Sequence, residues 1–144
     1  MINCKKKKIE SQRIFFDGQI YDAYKLIIEI IKMADNKITI IDNYIDDSIL
    51  EMLSKKKDNV EVVILTSNKS NIKNIDIQKF NKQYPTLKIA KTDRFHDRFI
   101  ILDEKEMYHL GASIKDLGKK CFGINKIEDK KYLEKIVKII LCVN

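Results

Sequence analysis

Phe95-His96-Asp97-Arg98-Phe99-Ile100-Ile101-Leu102-Asp103 sets an imidazole and a guanidinium at the head of an apolar, β-branched run and a carboxylate at its foot. Residues two apart on an extended chain leave the same face, so His96 and Arg98 are expected to converge on one anion. Imidazole titrates near neutrality and serves as nucleophile or general acid, while a guanidinium offers fixed paired donors to phosphate oxygens. Asp103 is expected to end the strand and to orient a histidine or support the basic side chains.

Downstream, Arg98 to Asp103, Met107 to Ala112 and Cys121 to Ile127 are three strand-like runs. Turns at Glu104-Lys105 and Asp116-Leu117-Gly118 separate them, as expected of adjacent antiparallel strands. Asp129 is placed to cap a closing helix whose apolar face is Tyr132, Leu133, Ile136, Val137 and Ile140. Upstream, Ile14 to Phe16 reads as a short strand or cover for the core, ending at the turn pair Asp17-Gly18. The apolar spacing of Ile20, Ala23, Tyr24, Ile27, Ile31 and Ala34 predicts a helix over 20–34. Lys37 to Asp42 is a strand with a polar end, and Asp46 or Asp47 can cap a helix bearing Ile49, Leu50 and Leu53. Val60 to Thr66 is almost wholly apolar, the composition of a strand covered by helices on both faces. A loop over 67–74, a weaker helix over Ile75 to Tyr84 before Pro85, and a short strand at Leu87 to Ala90 complete the order. The expected fold is α/β: one domain with a mixed sheet sandwiched between helices.

The H-x-R-x-x-x-x-D spacing of His96, Arg98 and Asp103 resembles the H-x-K-x-x-x-x-D signature of the phospholipase D superfamily. In that family the motif strand is followed by one that ends in a Gly-Ser type turn lining the phosphate pocket. Here Met107 to Leu110 runs into Gly111-Ala112-Ser113, and the order of elements is similar from roughly Phe15 to Ile140. The resemblance implies a metal-independent phosphodiesterase with no cofactor, and His96, Arg98 and Asp103 as its catalytic residues. It implies substrate phosphate contacts from Gly111 and Ser113, with Lys115 as an extension of the basic pocket. Ser113 equally serves as a turn residue, and His109 either points at the site or is a structural strand histidine. Asp116, Lys119 and Lys120 read as hairpin surface. The chain carries one motif where such sites use two, like the small dimeric bacterial nucleases of the superfamily. A homodimer with His96 of each subunit in a shared site is therefore expected. Two departures stand out: Arg98 occupies the usual lysine position, and the turn is Gly-Ala-Ser. Arginine keeps the charge but is bulkier, planar and never neutral, so binding survives the change more surely than turnover.

Length and charge agree with this reading. At 144 residues the chain has room for one core, and 44% hydrophobic with 34% charged residues describes neither a disordered chain nor a membrane protein. The net charge of +7 favours nucleic acid or another polyanion, although Lys, Ile and Asn are frequent throughout, as in any protein encoded by an A/T-rich genome. DNA is favoured over RNA as partner because no aromatic platform of a known RNA-binding type is visible. Three cysteines without a C-x-x-C pair argue against a disulfide framework or zinc site, and the expected compartment is the cytoplasm. Residues 1–13 are expected as a basic segment, with Lys5 to Lys8 a frayed terminus or a phosphate-gripping arm, and 14–144 as the domain. The competing function is a nucleic-acid-binding or regulatory module that keeps the phosphate pocket without turnover; a third is a dimerisation unit from a longer DNA-binding protein.

Overall fold

A computed structural model describes residues 9–143, so the Lys5 to Lys8 run lies outside the described residues. Strand β1 (Gln12–Phe15) precedes helix α1 (Ile20–Met33). Two strand-helix units follow: β2 (Lys37–Ile41) with α2 (Ser48–Leu53), then β3 (Glu61–Thr66) with α3 (Asn74–Gln83). Next come β4 (Leu87–Lys91), β5 (Arg98–Leu102), β6 (Glu106–Leu110), a 3₁₀ turn (Ile114–Asp116), β7 (Phe122–Ile127) and α4 (Lys130–Leu141). The expected boundary after residue 13 therefore falls inside β1.

The seven strands of the described residues join one mixed sheet in the order β1-β7-β6-β5-β2-β3-β4. β2, β3 and β4 run parallel, and the remaining pairings are antiparallel. Alternation divides the side chains into two cores. On one face Ile38, Ile40, Val62, Ile64, Ile100, Tyr108 and Leu110 pack with α1 and α2. On the other, Ile41, Leu65, Ile101 and Met107 pack with Leu133, Ile136, Val137 and Ile140 of α4. Helix α1 buries Ala23, Leu26, Ile27, Ile30 and Ile31, and each Leu or Ile so covered contributes about 1.5–3 kcal/mol. The nearly continuous apolar run of β3 is thus explained by cover on both faces.

Local chemistry sets the element ends. Asp46 rather than Asp47 serves the start of α2, its Oδ1 accepting the Ser48 N–H at 3.0 Å, while Asp47 makes no capping bond. Asp129 accepts the Lys131 N–H at 3.0 Å and caps α4. Gly118, at φ +83°, lies so close to the start of α1 that an added Cβ would meet the Ile20 Cα at 2.6 Å. The Gly18 N–H donates to the Gly118 carbonyl at 2.9 Å across the same approach.

Asp103 corrects one sequence expectation. It follows the last residue of β5, and its carboxylate accepts the backbone N–H groups of Asp35 (3.0 Å), Asn36 (2.7 Å) and Lys37 (2.9 Å) at the start of β2. Arg98 stands at the opposite end of β5, about 16 Å away at the usual rise of a strand, so Asp103 orients neither His96 nor Arg98. It secures the entry of β2 instead. Partial burial pushes its pKa upward, but the three N–H donors outweigh that and hold it below the ordinary 3.8. A depressed carboxyl pKa stabilises the fold above the unfolded-state value, and the contribution disappears as pH falls through the folded-state value. Asp103→Asn preserves the left-handed backbone that Asp103 adopts at φ +55°, because asparagine tolerates that conformation. Melting curves should show the wild type ahead of Asp103→Asn at neutral pH, with the gap closing below pH ~4.

Candidate phosphate-binding site

Register brings Arg98 and the bend before it to one end of the sheet. Ile41 pairs with Phe99 and Leu110 with Arg98, so Arg98 lies between the chain leaving β2 at Asp42 and the chain leaving β6 at Gly111. This is also where the parallel half of the sheet meets the antiparallel half, a place where connections diverge and leave a crevice. A cavity of about 450 Å³ opens there, lined by Tyr44, Arg98, Gly111, Ala112, Ser113, Lys115 and Asp116.

The guanidinium of Arg98 sits in this cavity wall. Its Nη2 donates to the Gly111 carbonyl at 3.3 Å, and its Nε is buried without a hydrogen-bond partner among the described residues. A buried donor left unpaired is costly, and a guanidinium in a cavity wall is a natural partner for an anion. Gly111 serves by lacking a side chain: a Cβ there would come within 3.2 Å of the Gly123 backbone, and its N–H already donates to the Gly123 carbonyl at 2.8 Å.

The carboxylate of Asp42, fully buried, organises the floor. It accepts the Ser113 hydroxyl at 3.0 Å to each oxygen, the Ile114 N–H at 2.8 Å and the Tyr44 N–H at 3.0 Å. Ser113 therefore lines the cavity but directs its hydroxyl hydrogen to Asp42. Lys115 also lines the cavity, with its ammonium 2.9 Å from Asp116; that hydrogen bond raises the lysine's pKa despite some desolvation, so the charge is permanent at neutral pH. Asp116, expected on the hairpin surface, is instead a member of the cavity wall that pairs with both Lys115 and Lys119, the latter at 3.1 Å.

His96 is exposed and occupies a bend before β5 rather than the strand itself, because the ladder on both neighbours ends opposite Arg98 and Phe99. It does not line the cavity, although it is two residues from Arg98, which does. The bend is tied on one side by Asn43, whose Nδ2 donates to the Phe95 carbonyl at 2.8 Å. His109 lies on the opposite sheet face, 2.6 Å from Asp97 through its Nε2, and is therefore not in the cavity. Among the described residues no group of three or more His, Cys, Asp or Glu side chains is placed to hold a metal ion, and no helix is long and apolar enough to cross a membrane.

Asp42 and Tyr44 are the site residues that sequence reasoning missed. The polar end of β2 was the available signal for Asp42, but its link to Ser113 spans 71 residues and appears only in the fold.

No family model matches the sequence, and no curated protein matches it. Solved structures do match. NucT from Helicobacter pylori superposes with a TM-score of 0.66 at 16% identity, covering 92% of this chain and 94% of NucT. Nuc from Salmonella typhimurium, a phospholipase D family member, superposes at 0.64 with 18% identity, over 92% of this chain and 93% of Nuc. TrmBL2, an archaeal chromatin protein described with a novel mode of DNA binding, matches at 0.60 with 18% identity; 95% of this chain covers 53% of it. The fold is that of the phospholipase D-like nucleases, as the motif and the order of elements led us to expect.

Removing the Asp42 carboxylate should damage the turn from below. Asp42→Ala leaves one hydroxyl and two N–H groups without an acceptor and is expected to cost about 2–5 kcal/mol in urea unfolding. Asp42→Asn, which retains an acceptor oxygen, should lose less; equal stability of Asp42→Ala and wild type would show that the turn does not depend on this carboxylate.

Proposed function

We infer that the protein is a metal-independent phosphodiesterase, a nuclease acting through a site shared by two subunits. The observation that carries this reading is the incompletely paired guanidinium of Arg98 in a cavity two residues from the exposed imidazole of His96. The fold shared with Nuc and NucT supports the same chemistry. One His96 attacks phosphorus, forming a phosphohistidine as the P–O bond to the leaving group breaks. The partner's His96 protonates the departing oxygen and then takes a proton from the water that hydrolyses the phosphohistidine. Arg98 from each subunit neutralises charge that builds on the non-bridging oxygens, and Lys115 adds a further positive charge at the rim. Gly111 and Ser113 shape the pocket rather than donate to the phosphate. Nucleic acid suits the +7 charge, with DNA as the favoured polymer.

A second reading draws on a specific feature. Arg98 is permanently charged where a lysine is usual, and TrmBL2 shares the fold as a chromatin protein. On this reading the domain grips phosphates without cleaving them.

Labelled single- and double-stranded DNA and RNA incubated in EDTA separate the two. Cleavage by wild type that falls about 10³-fold or more in His96→Ala supports the enzyme. Retention of uncut substrate by both proteins supports the binding module. Arg98→Ala should weaken binding and lower the salt dependence by about one phosphate contact per subunit. For the shared site, mixing wild type with His96→Ala under subunit exchange should lower activity as the square of the wild-type fraction; a linear decline would mean that each subunit works alone.

A further inference from the structure

The second histidine of the chain is paired with the residue next to the one proposed as nucleophile. Asp97 lies between His96 and Arg98 and reaches in two directions. Its Oδ1 accepts the Arg98 backbone N–H at 3.0 Å, and its Oδ2 lies 2.6 Å from His109 Nε2. His109 is held in β6 by the ladder to Phe99 on one side and Asn125 on the other. Its ring also contacts the Phe99 ring at 5.5 Å between centroids. The bend that carries His96 is therefore tied at both ends: Asn43 fixes the Phe95 carbonyl and the Asp97–His109 pair fixes the residue after His96. Such a tie is needed because His96 lies outside the ladder and is exposed, so neither sheet pairing nor burial restrains it.

We propose that Asp97 and His109 are positioning residues that hold the His96 bend against β6 from the sheet face opposite the phosphate cavity. Neither residue touches substrate. They act as the outer ties of metal-site and catalytic ligands do, where losing a supporting hydrogen bond leaves the reacting group present but misplaced. The role rests on the phosphodiesterase reading for its catalytic consequence, while the tie itself does not.

The chain contains only two histidines, His96 and His109, so imidazole nitrogen spectra report each without overlap once a single-histidine variant assigns them. Both partners of the tie are partly exposed, with side-chain accessibilities of 27% for His109 and 47% for Asp97, so replacing them spares the core. In His109→Phe, which keeps a ring against Phe99, backbone amides of His96 and Asp97 should exchange at least about 10-fold faster. In the same protein kcat should fall by about 100-fold with KM within about twofold, the signature of a displaced reacting group rather than a lost substrate contact. His109→Gln, whose amide nitrogen reaches a similar position to Nε2, should restore most of both. Asp97→Ala should match His109→Phe, and the double variant should be no worse than either single one.

Wild-type exchange at His96 and wild-type kcat in both His109→Phe and Asp97→Ala would overturn the proposal, as would full additivity in the double variant. If the wild type cuts no substrate yet exchange at His96 accelerates in these variants and recovers in His109→Gln, the tie stands and the phosphodiesterase reading falls.

Discussion

β5 enters the sheet antiparallel to β2, between a parallel half and an antiparallel half, and its register against both neighbours sets everything at the site. With Ile41 opposite Phe99 and Arg98 opposite Leu110, one guanidinium is held between two chains that leave the sheet at the same end. A slip of one residue would send Arg98 to the other face and bring Phe99 into the cavity wall. The slip is opposed by burial, since the same shift would set the carboxylate of Asp103 in the place that Leu102 fills in the core against α1 and α2.

Two buried or half-buried carboxylates work on this frame from opposite ends of the sheet. Asp103 holds the start of β2 through three backbone N–H groups, and Asp42 holds the end of β2 to the turn after β6. Neither is aimed at a phosphate. Each converts a strand end, where backbone donors have no ladder partner, into a fixed point. Arg98 and Ser113 are thus joined by hydrogen bonds to the strand ends around them, while His96 lies in a bend outside the ladder.

Charge around the cavity is mixed rather than uniformly basic. Lys115 and Lys119 share Asp116, so the rim presents paired groups whose net attraction for an anion is smaller than two free lysines would give. Arg98 stands apart from them: its contact within the fold is a backbone carbonyl, leaving its full charge uncompensated by any carboxylate among the described residues. The attraction of the cavity for an anion therefore rests chiefly on that residue.

The alternation of β-branched residues, the helical spacing over 20–34 and 130–140, and the turn pairs were enough to read the order of elements, the mixed sheet and the cover on both faces of β3. These are local consequences of where apolar side chains must go. The resemblance to the phospholipase D superfamily implied that Arg98 and the Gly111 turn share one pocket, and both line one cavity. It misjudged Asp103, because a spacing of five residues along a strand says nothing about which strand start lies beyond its end. Asp42, Asp97 and His109 acquired their partners only when distant segments came into register, since a hydrogen bond across 71 residues leaves no local pattern in the chain. Periodicity records burial, which each element carries within itself; partnership between polar groups is a property of the assembled sheet.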